Sequence, residues 1–183
     1  PAALRARTIL HVFPTGAVRC SNSPGQPRGF LLALMHKTQD PHFAERVRAS
    51  FASQKAMTLI GASMPVVEAG YTEIHLPHKP EITQQNGYVH GGVVGMIADS
   101  AAGYAASTLT AAEAGVLTVE YKLNLLAPAE GQLLIAEGSV VRYGRTLIVT
   151  RAEVFAVHHG RKALCALMQQ TIMVVHGRHS GRA

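Results

Sequence analysis

One segment limits this chain more than any other: Asn86-Gly-Tyr-Val-His90-Gly91-Gly92-Val-Val-Gly-Met-Ile-Ala-Asp99-Ser100. The glycine pair after His90 suits a helix start, where backbone must come close to something else and free N–H groups point outward. Beyond the pair the residues are Val, Gly, Met, Ile and Ala as far as Asp99. Between Ile82 and Ala112 the only acid or base besides His90 is Asp99. A helix that is apolar all round is expected to be buried. An ionised carboxylate inside it costs on the order of several kcal/mol unless a partner or hydrogen bonds offset the loss of water. Asp99 therefore needs either a structural partner or a chemical role, and the accompanying glycines favour a role.

The rest of the chain is read around that helix, placed at about residues 91–109. Asp40, an N-cap candidate before Pro41, opens a short amphipathic helix to about Lys55, with Phe43, Val47 and Phe51 at helical spacing. Residues 65–76 read as a strand pair broken at Ala69-Gly70. Four strand candidates come after the central helix, near 116–126, 131–142, 146–157 and 162–175. Turn-forming residues separate them at Ala127-Pro128-Ala-Glu-Gly131, Tyr143-Gly144 and His158-His159-Gly160. In the first, Val119, Tyr121, Leu123 and Leu125 alternate with Thr118, Glu120, Lys122 and Asn124, which predicts a half-buried strand. Together these elements give an α+β domain, an antiparallel sheet wrapped around one long helix.

Composition sets the boundaries. At 183 residues and 48% hydrophobic content the chain has room for one domain with a sizeable core. Five of the positive charges (Arg5, Arg7, Arg19, Arg28, Lys37) precede any acid, so of the formal +6 only +1 belongs to residues 40–183. That distribution, with no Trp and 5% aromatic content, argues against a nucleic-acid partner. Residues 1–35 are expected to be a basic, poorly ordered extension, 36–176 the folded domain and 177–183 a short basic tail. No run of about 18 apolar residues occurs, so a membrane-spanning helix is not expected. Cys20 and Cys165 suggest neither a disulfide framework nor a zinc site, which fits a reducing, cytoplasmic setting. His75 and His78, His158 and His159, and His176 and His179 sit in turn-like or terminal contexts without a carboxylate at ligand spacing, and neither a phosphate loop nor a dinucleotide fingerprint is present, so no metal or cofactor is expected.

Residues 58–175 resemble the hotdog-fold acyl-CoA thioesterases, in the subgroup similar to the phenylacetate-pathway (PaaI-like) enzyme. The resemblance rests on His90-Gly91-Gly92, on Ala98-Asp99-Ser100-Ala101, and on Thr118-Val-Glu-Tyr-Lys-Leu-Asn124 running to Ala127-Pro128-Ala129. It implies that the Gly91 N–H donates to the thioester carbonyl and that Asp99 acts as general base or nucleophile. By the same resemblance His90 orients the carbonyl or its loop, and Thr118 positions the attacking water. Where the family often has Asn seven residues before the glycine, this chain has Gln84, whose longer side chain offers the same amide. Gly92, Val93 and Met96, with Ile97, would line the acyl pocket. Arg142, Gly144, Arg145 and Thr146 match the place where the family meets the coenzyme A phosphates.

Spacing adds a constraint of its own. A helix rises about 1.5 Å per residue, so Gly91 and Asp99 stand about 12 Å apart along one axis. If both act on one bond, the donor must come from one chain and the carboxylate from another, which predicts a homo-oligomer, dimer or tetramer, with shared sites. The expected activity is hydrolysis of an acyl-CoA, aryl or medium-chain, to free acid and coenzyme A. The alternative is an acyl-CoA-binding protein without turnover.

Overall fold

The structure is a computed structural model that describes residues 37–176. The expectations for residues 1–35 and for the tail 177–183 lie outside the described residues. The elements run α1 (Phe43–Ser53), α2 (Lys55–Ile60), β1 (Ser63–Glu68), β2 (Tyr71–Pro77), a 3-10 turn at Pro80–Ile82, α3 (Gly91–Ser107), β3 (Gly115–Leu125), β4 (Leu133–Arg142), β5 (Leu147–His158) and β6 (Arg161–Val175). The strands form a single antiparallel sheet in the order β1-β2-β4-β5-β6-β3. The expected architecture is present, with all four strands after the helix close to their predicted places. The β5–β6 turn uses His159 and Gly160, both at positive φ (47° and 77°).

The sheet wraps around α3, and the alanines of that helix explain how closely. Ala98, Ala101, Ala102, Ala105 and Ala106 are fully buried, so no bulky side chain separates helix from strands. At Gly138 on β4 the backbones nearly touch: a Cβ placed there would lie 2.3 Å from the Ala101 carbonyl carbon and oxygen. Thr72 on β2 donates its hydroxyl to the Ala101 carbonyl at 2.7 Å, pinning the helix to the sheet at the same height.

The end of α3 is clamped from α1. Arg46 donates to the Ser107 hydroxyl (3.2 Å), the Ser107 carbonyl (3.0 Å) and the Thr110 carbonyl (3.3 Å), placing a cation at the negative end of the helix dipole. Asp40 accepts from Arg46 Nε at 2.8 Å and from the His42 N–H at 2.8 Å. These donors, the Arg46 guanidinium foremost, hold the Asp40 carboxyl below the usual carboxylate range. Asp40 thus organises the turn before α1, but the N-cap position itself is His42. The single helix expected from Asp40 to Lys55 is in fact two, because the chain leaves helical geometry at Gln54 and restarts as α2.

Two expectations about burial are corrected. Helix α3 is not covered all round: Gly92 and Met96 are exposed, and Asp99 and Gly103 are half-buried. At helical spacing these four form one open stripe. The second correction concerns β3, which is the sheet edge. Val119, Tyr121 and Leu125 are 57%, 52% and 58% exposed. The alternation holds from Glu120 onward, after an irregularity at Val119, and there the apolar side of the strand extends beyond the cover the helix provides.

Candidate active site

The start of α3 follows from its sequence. His90 holds φ −59° and ψ 135° as the N-cap, and its Nδ1 accepts the Gly92 N–H at 2.9 Å. An accepting Nδ1 leaves the hydrogen of the neutral ring on Nε2, so His90 is capped inward and can donate outward. The Gly91 N–H has no acceptor among the described residues. It stands in the first turn of a 17-residue helix, where the dipole favours negative charge.

Asp99 sits on the open stripe of the same helix, half-buried rather than enclosed. Its carboxylate is held from one side. Thr118 Oγ1 donates to Asp99 Oδ1 at 2.7 Å, and Gln170 Nε2 donates to the same oxygen. Gln170 Nε2 also donates to Thr118 Oγ1 at 2.8 Å, closing a three-member ring of contacts. Among the described residues Oδ2 has no hydrogen-bond partner. A cavity of about 560 Å³ opens beside this group, with Asp99, Ser100, Gly103, Tyr104 and Thr118 in its walls. Gly103 leaves the space above it empty, since a Cβ there would meet nothing within 4 Å.

Thr118 reaches Asp99 only because β3 carries a bulge. Its register with β6 pairs Thr118 with Ile172 but Glu120 with Thr171, so Val119 is surplus. Before the bulge the even-numbered residues pair with the buried side of β6, at Val116↔Val174 and Thr118↔Ile172. After it the odd-numbered ones do, at Tyr121↔Gln170, Leu123↔Met168 and Leu125↔Ala166. Unbroken alternation sets Thr118 opposite Tyr121, Leu123 and Leu125, whereas the bulge puts all four on one face.

The other predicted residues are spread out. Gly91 and Gln84 line a smaller cavity of about 180 Å³ together with Leu125 and the buried Cys165, whose thiol burial pushes up and leaves unreactive. The Gln84 side chain is folded onto its own loop, accepting the Asn86 N–H. His90 and Val93 face a third hollow beside Leu59 and Lys79. Met96 is on the open stripe, and Gly92 directs its N–H to the His90 cap. Arg142, Gly144, Arg145 and Thr146 form the β4–β5 turn, where both arginines are exposed. Val140, just before that turn, packs with Ala105, Ala106 and Leu109. The turn is thus at the C-terminal end of α3, opposite to Gly91. In one chain the structure unites Asp99 with Thr118 and sets Gly91 and the arginine turn apart from them.

Gln170 is the residue that sequence reading passed over. Its signal was available: in β6 the inward positions Ala166, Met168, Ile172 and Val174 are apolar, and Gln170 interrupts that series while only 1% exposed.

Residues 86–163, which carry Gly91, Asp99 and Thr118, match the family model described as the thioesterase superfamily. Among solved structures, a thioesterase family protein from Silicibacter pomeroyi is 42% identical, with a TM-score of 0.73 over 74% of this chain and 99% of that one. A thioesterase from Haemophilus influenzae shares the fold at 20% identity (TM-score 0.65; 72% of this chain, 91% of the other). So does the PaaI protein from the phenylacetic acid degradation operon of Escherichia coli, at 18% identity (TM-score 0.65; 74% and 94%). Taken with the wrapped sheet and the central helix, these likenesses make the chain a member of the thioesterase superfamily with the hotdog fold.

Proposed function

We propose that this protein hydrolyses an acyl-CoA thioester to the free acid and coenzyme A, at sites that two protomers build together. The observation that carries this reading is the division of labour along α3. Asp99, braced through one oxygen and bare at the other, lines one cavity, while the free Gly91 N–H lines another eight residues away. Neither cavity holds both groups that thioester hydrolysis needs, a donor for the oxygen that becomes negative and a base beside the attacking water.

The surface that would complete the site is the one left uncovered. The α3 stripe Gly92, Met96, Asp99 and Gly103 and the apolar side chains of edge strand β3 are open in one chain. A second copy related by a two-fold axis would cover both and bring its own Gly91 toward this Asp99. The assembly is a dimer, or a tetramer of two such dimers.

In the reaction as we read it, the Gly91 N–H binds the thioester oxygen, and His90 Nε2–H steadies the carbonyl or its loop. Asp99 Oδ2 either takes a proton from water or attacks the carbonyl carbon itself. In the first case water's oxygen adds to the carbonyl carbon, the oxyanion collapses with loss of the C–S bond, and the proton passes from Asp99 to the coenzyme A thiolate. In the second, collapse expels the thiolate and leaves a mixed anhydride on Asp99, which water then hydrolyses to the free acid, restoring the carboxylate and giving a proton to the thiolate. Gln84 lines the donor's cavity and can offer its amide there once released from its own turn. Val93 and Met96 are apolar wall, which suits aryl or medium-chain acyl groups. Arg142 and Arg145 have no ion pair among the described residues and are suited, with Gly144 and Thr146, to coenzyme A phosphates. A substrate of this kind fits a cytoplasmic protein.

The test is free-thiol release from acetyl-, octanoyl-, palmitoyl- and phenylacetyl-CoA, with wild type beside Asp99→Asn. Release that depends on Asp99 supports the reading and names the acyl class. Binding without release moves the protein to the alternative, an acyl-CoA-binding member without turnover. Full activity in Asp99→Asn overturns the assignment of the base.

A further inference from the structure

Gln170 is a buried amide with every polar atom engaged, and its engagements run in one direction. Thr150 on β5 donates its hydroxyl to Gln170 Oε1 at 3.1 Å. With the oxygen held there, the NH2 group must point the other way, toward Asp99 Oδ1 and Thr118 Oγ1. The reverse orientation would set an amide oxygen against a carboxylate oxygen, acceptor against acceptor, so the Asp99 carboxylate decides which way the amide points. Thr118 Oγ1 accepts from Gln170 and so must direct its own hydrogen to Asp99 Oδ1. The chain Thr150, Gln170, Thr118, Asp99 therefore has one consistent set of proton positions, fixed by the carboxylate at its end.

We infer that Gln170, which is fully buried and bonded to Thr150 at its far end, is a positioning residue of the hydrolytic site: it ties Asp99 down through Oδ1 so that Oδ2 alone faces the cavity. The inference rests on the reading of Asp99 as the reacting carboxylate. A carboxylate on a helix can rotate about its terminal torsion, which is broad and nearly two-fold, and each rotation would exchange the reacting oxygen. Two donors converging on Oδ1 from β3 and β6 remove that freedom. Geometry held to a fraction of an ångström is worth much in rate, since displacements of about 1 Å can cost about 100-fold. Asp99 and Thr118 lie within the segment 86–163 that matches the superfamily model, and Gln170 lies beyond it on β6.

Three variants test it, with thiol release from whichever of octanoyl- or phenylacetyl-CoA turns over faster in wild type. Gln170→Met keeps the volume and removes both donors; kcat should fall about 10- to 100-fold with KM changed by less than about threefold, because binding groups are untouched. Thr150→Val leaves the buried Gln170 Oε1 without its donor, loosening the amide, and should give a smaller loss of the same kind. Gln170→Glu keeps the shape but sets two carboxyl groups in contact, which cannot both ionise, so the acidic limb of the kcat–pH profile should move to higher pH. A residue that merely fills space would leave kcat unchanged in Gln170→Met and Thr150→Val while the fold holds, which thermal melts check. Gln170→Met with wild-type kcat, or Gln170→Glu with an unmoved acidic limb, overturns the inference; should Gln170→Met fail to fold, the other two variants decide alone. Asp99→Asn separates the failures. If it is inactive while the Gln170 variants behave as wild type, only the brace is wrong, whereas if it is active the underlying reading falls first.

Discussion

Replacing Gly91 by proline removes the proposed oxyanion donor and little else. Gly91 is the first residue of α3, the helical position where proline is best tolerated because its N–H has no partner within the helix. The residue before a proline must be extended, and His90 already is, at φ −59° and ψ 135°. The Cβ of the new residue would meet Leu125 Cδ1 at 2.9 Å, the tip of an exposed side chain that can swing aside. Fold and thermal stability should therefore be close to wild type. Loss of one preorganised donor costs about 100- to 1,000-fold in kcat, or about 2.7–4 kcal/mol of transition-state stabilisation. Steady-state thiol release reads this directly, and a folded Gly91→Pro within about threefold of wild-type kcat would refute the assignment. The same variant tests whether the site is shared. Gly91→Pro and Asp99→Asn chains, unfolded together and refolded at equal amounts, should form mixed dimers in half the cases, each with one intact site, restoring about one quarter of wild-type activity. No recovery in such a mixture would mean that each chain works alone.

Further outcomes are expected from the packing and the charges. Gly138→Ala forces a Cβ to within 2.3 Å of the Ala101 backbone, which cannot yield as a side chain would; a loss of about 3 kcal/mol and about 10 °C in Tm is expected in a thermal melt. Asp40 is held below its ordinary value of 3.8 by Arg46, so the stability it contributes is fully present above that value and lost as pH falls through the lowered one. Asp40→Asn should therefore melt lower than wild type at neutral pH, with the gap closing below about pH 4. Met96→Glu puts a charge on the open stripe of α3 without disturbing the core, and should shift the protein to monomer in sedimentation while leaving its melting cooperative.

The parts of this molecule legible in the sequence were those written in local order. Turn residues at Ala69-Gly70, Tyr143-Gly144 and His159-Gly160 marked the strand breaks, because tight turns demand backbone angles few residues adopt. Asp99 stood out because a lone acid in an apolar helix is unfavourable without a partner. The second helix at Lys55–Ile60 was missed since its six residues are too few to show a period. Gln170 was missed for a different reason. Its meaning depends on Asp99, 71 positions earlier, and on a pairing between β3 and β6 that no window of residues displays. The apolar sides of α3 and β3 were read correctly as apolar and wrongly as covered by the same chain, because periodicity reports that a face avoids water without saying what shields it.

The bulge at Val119 gives β3 an unusual kind of fragility. Upstream of it the strand offers the helix a hydroxyl that touches the carboxylate, and downstream it offers a row of large apolar side chains. A single surplus residue is what sets both on the same side. Chemical identity matters little at Val119, so many replacements there should be neutral. Removing it would restore plain alternation and send either Thr118 or the Tyr121–Leu125 row to the far side of the sheet. At this point the gene can drift in spelling but not in length, for a single lost codon would part the hydroxyl that touches Asp99 from the apolar row beside it.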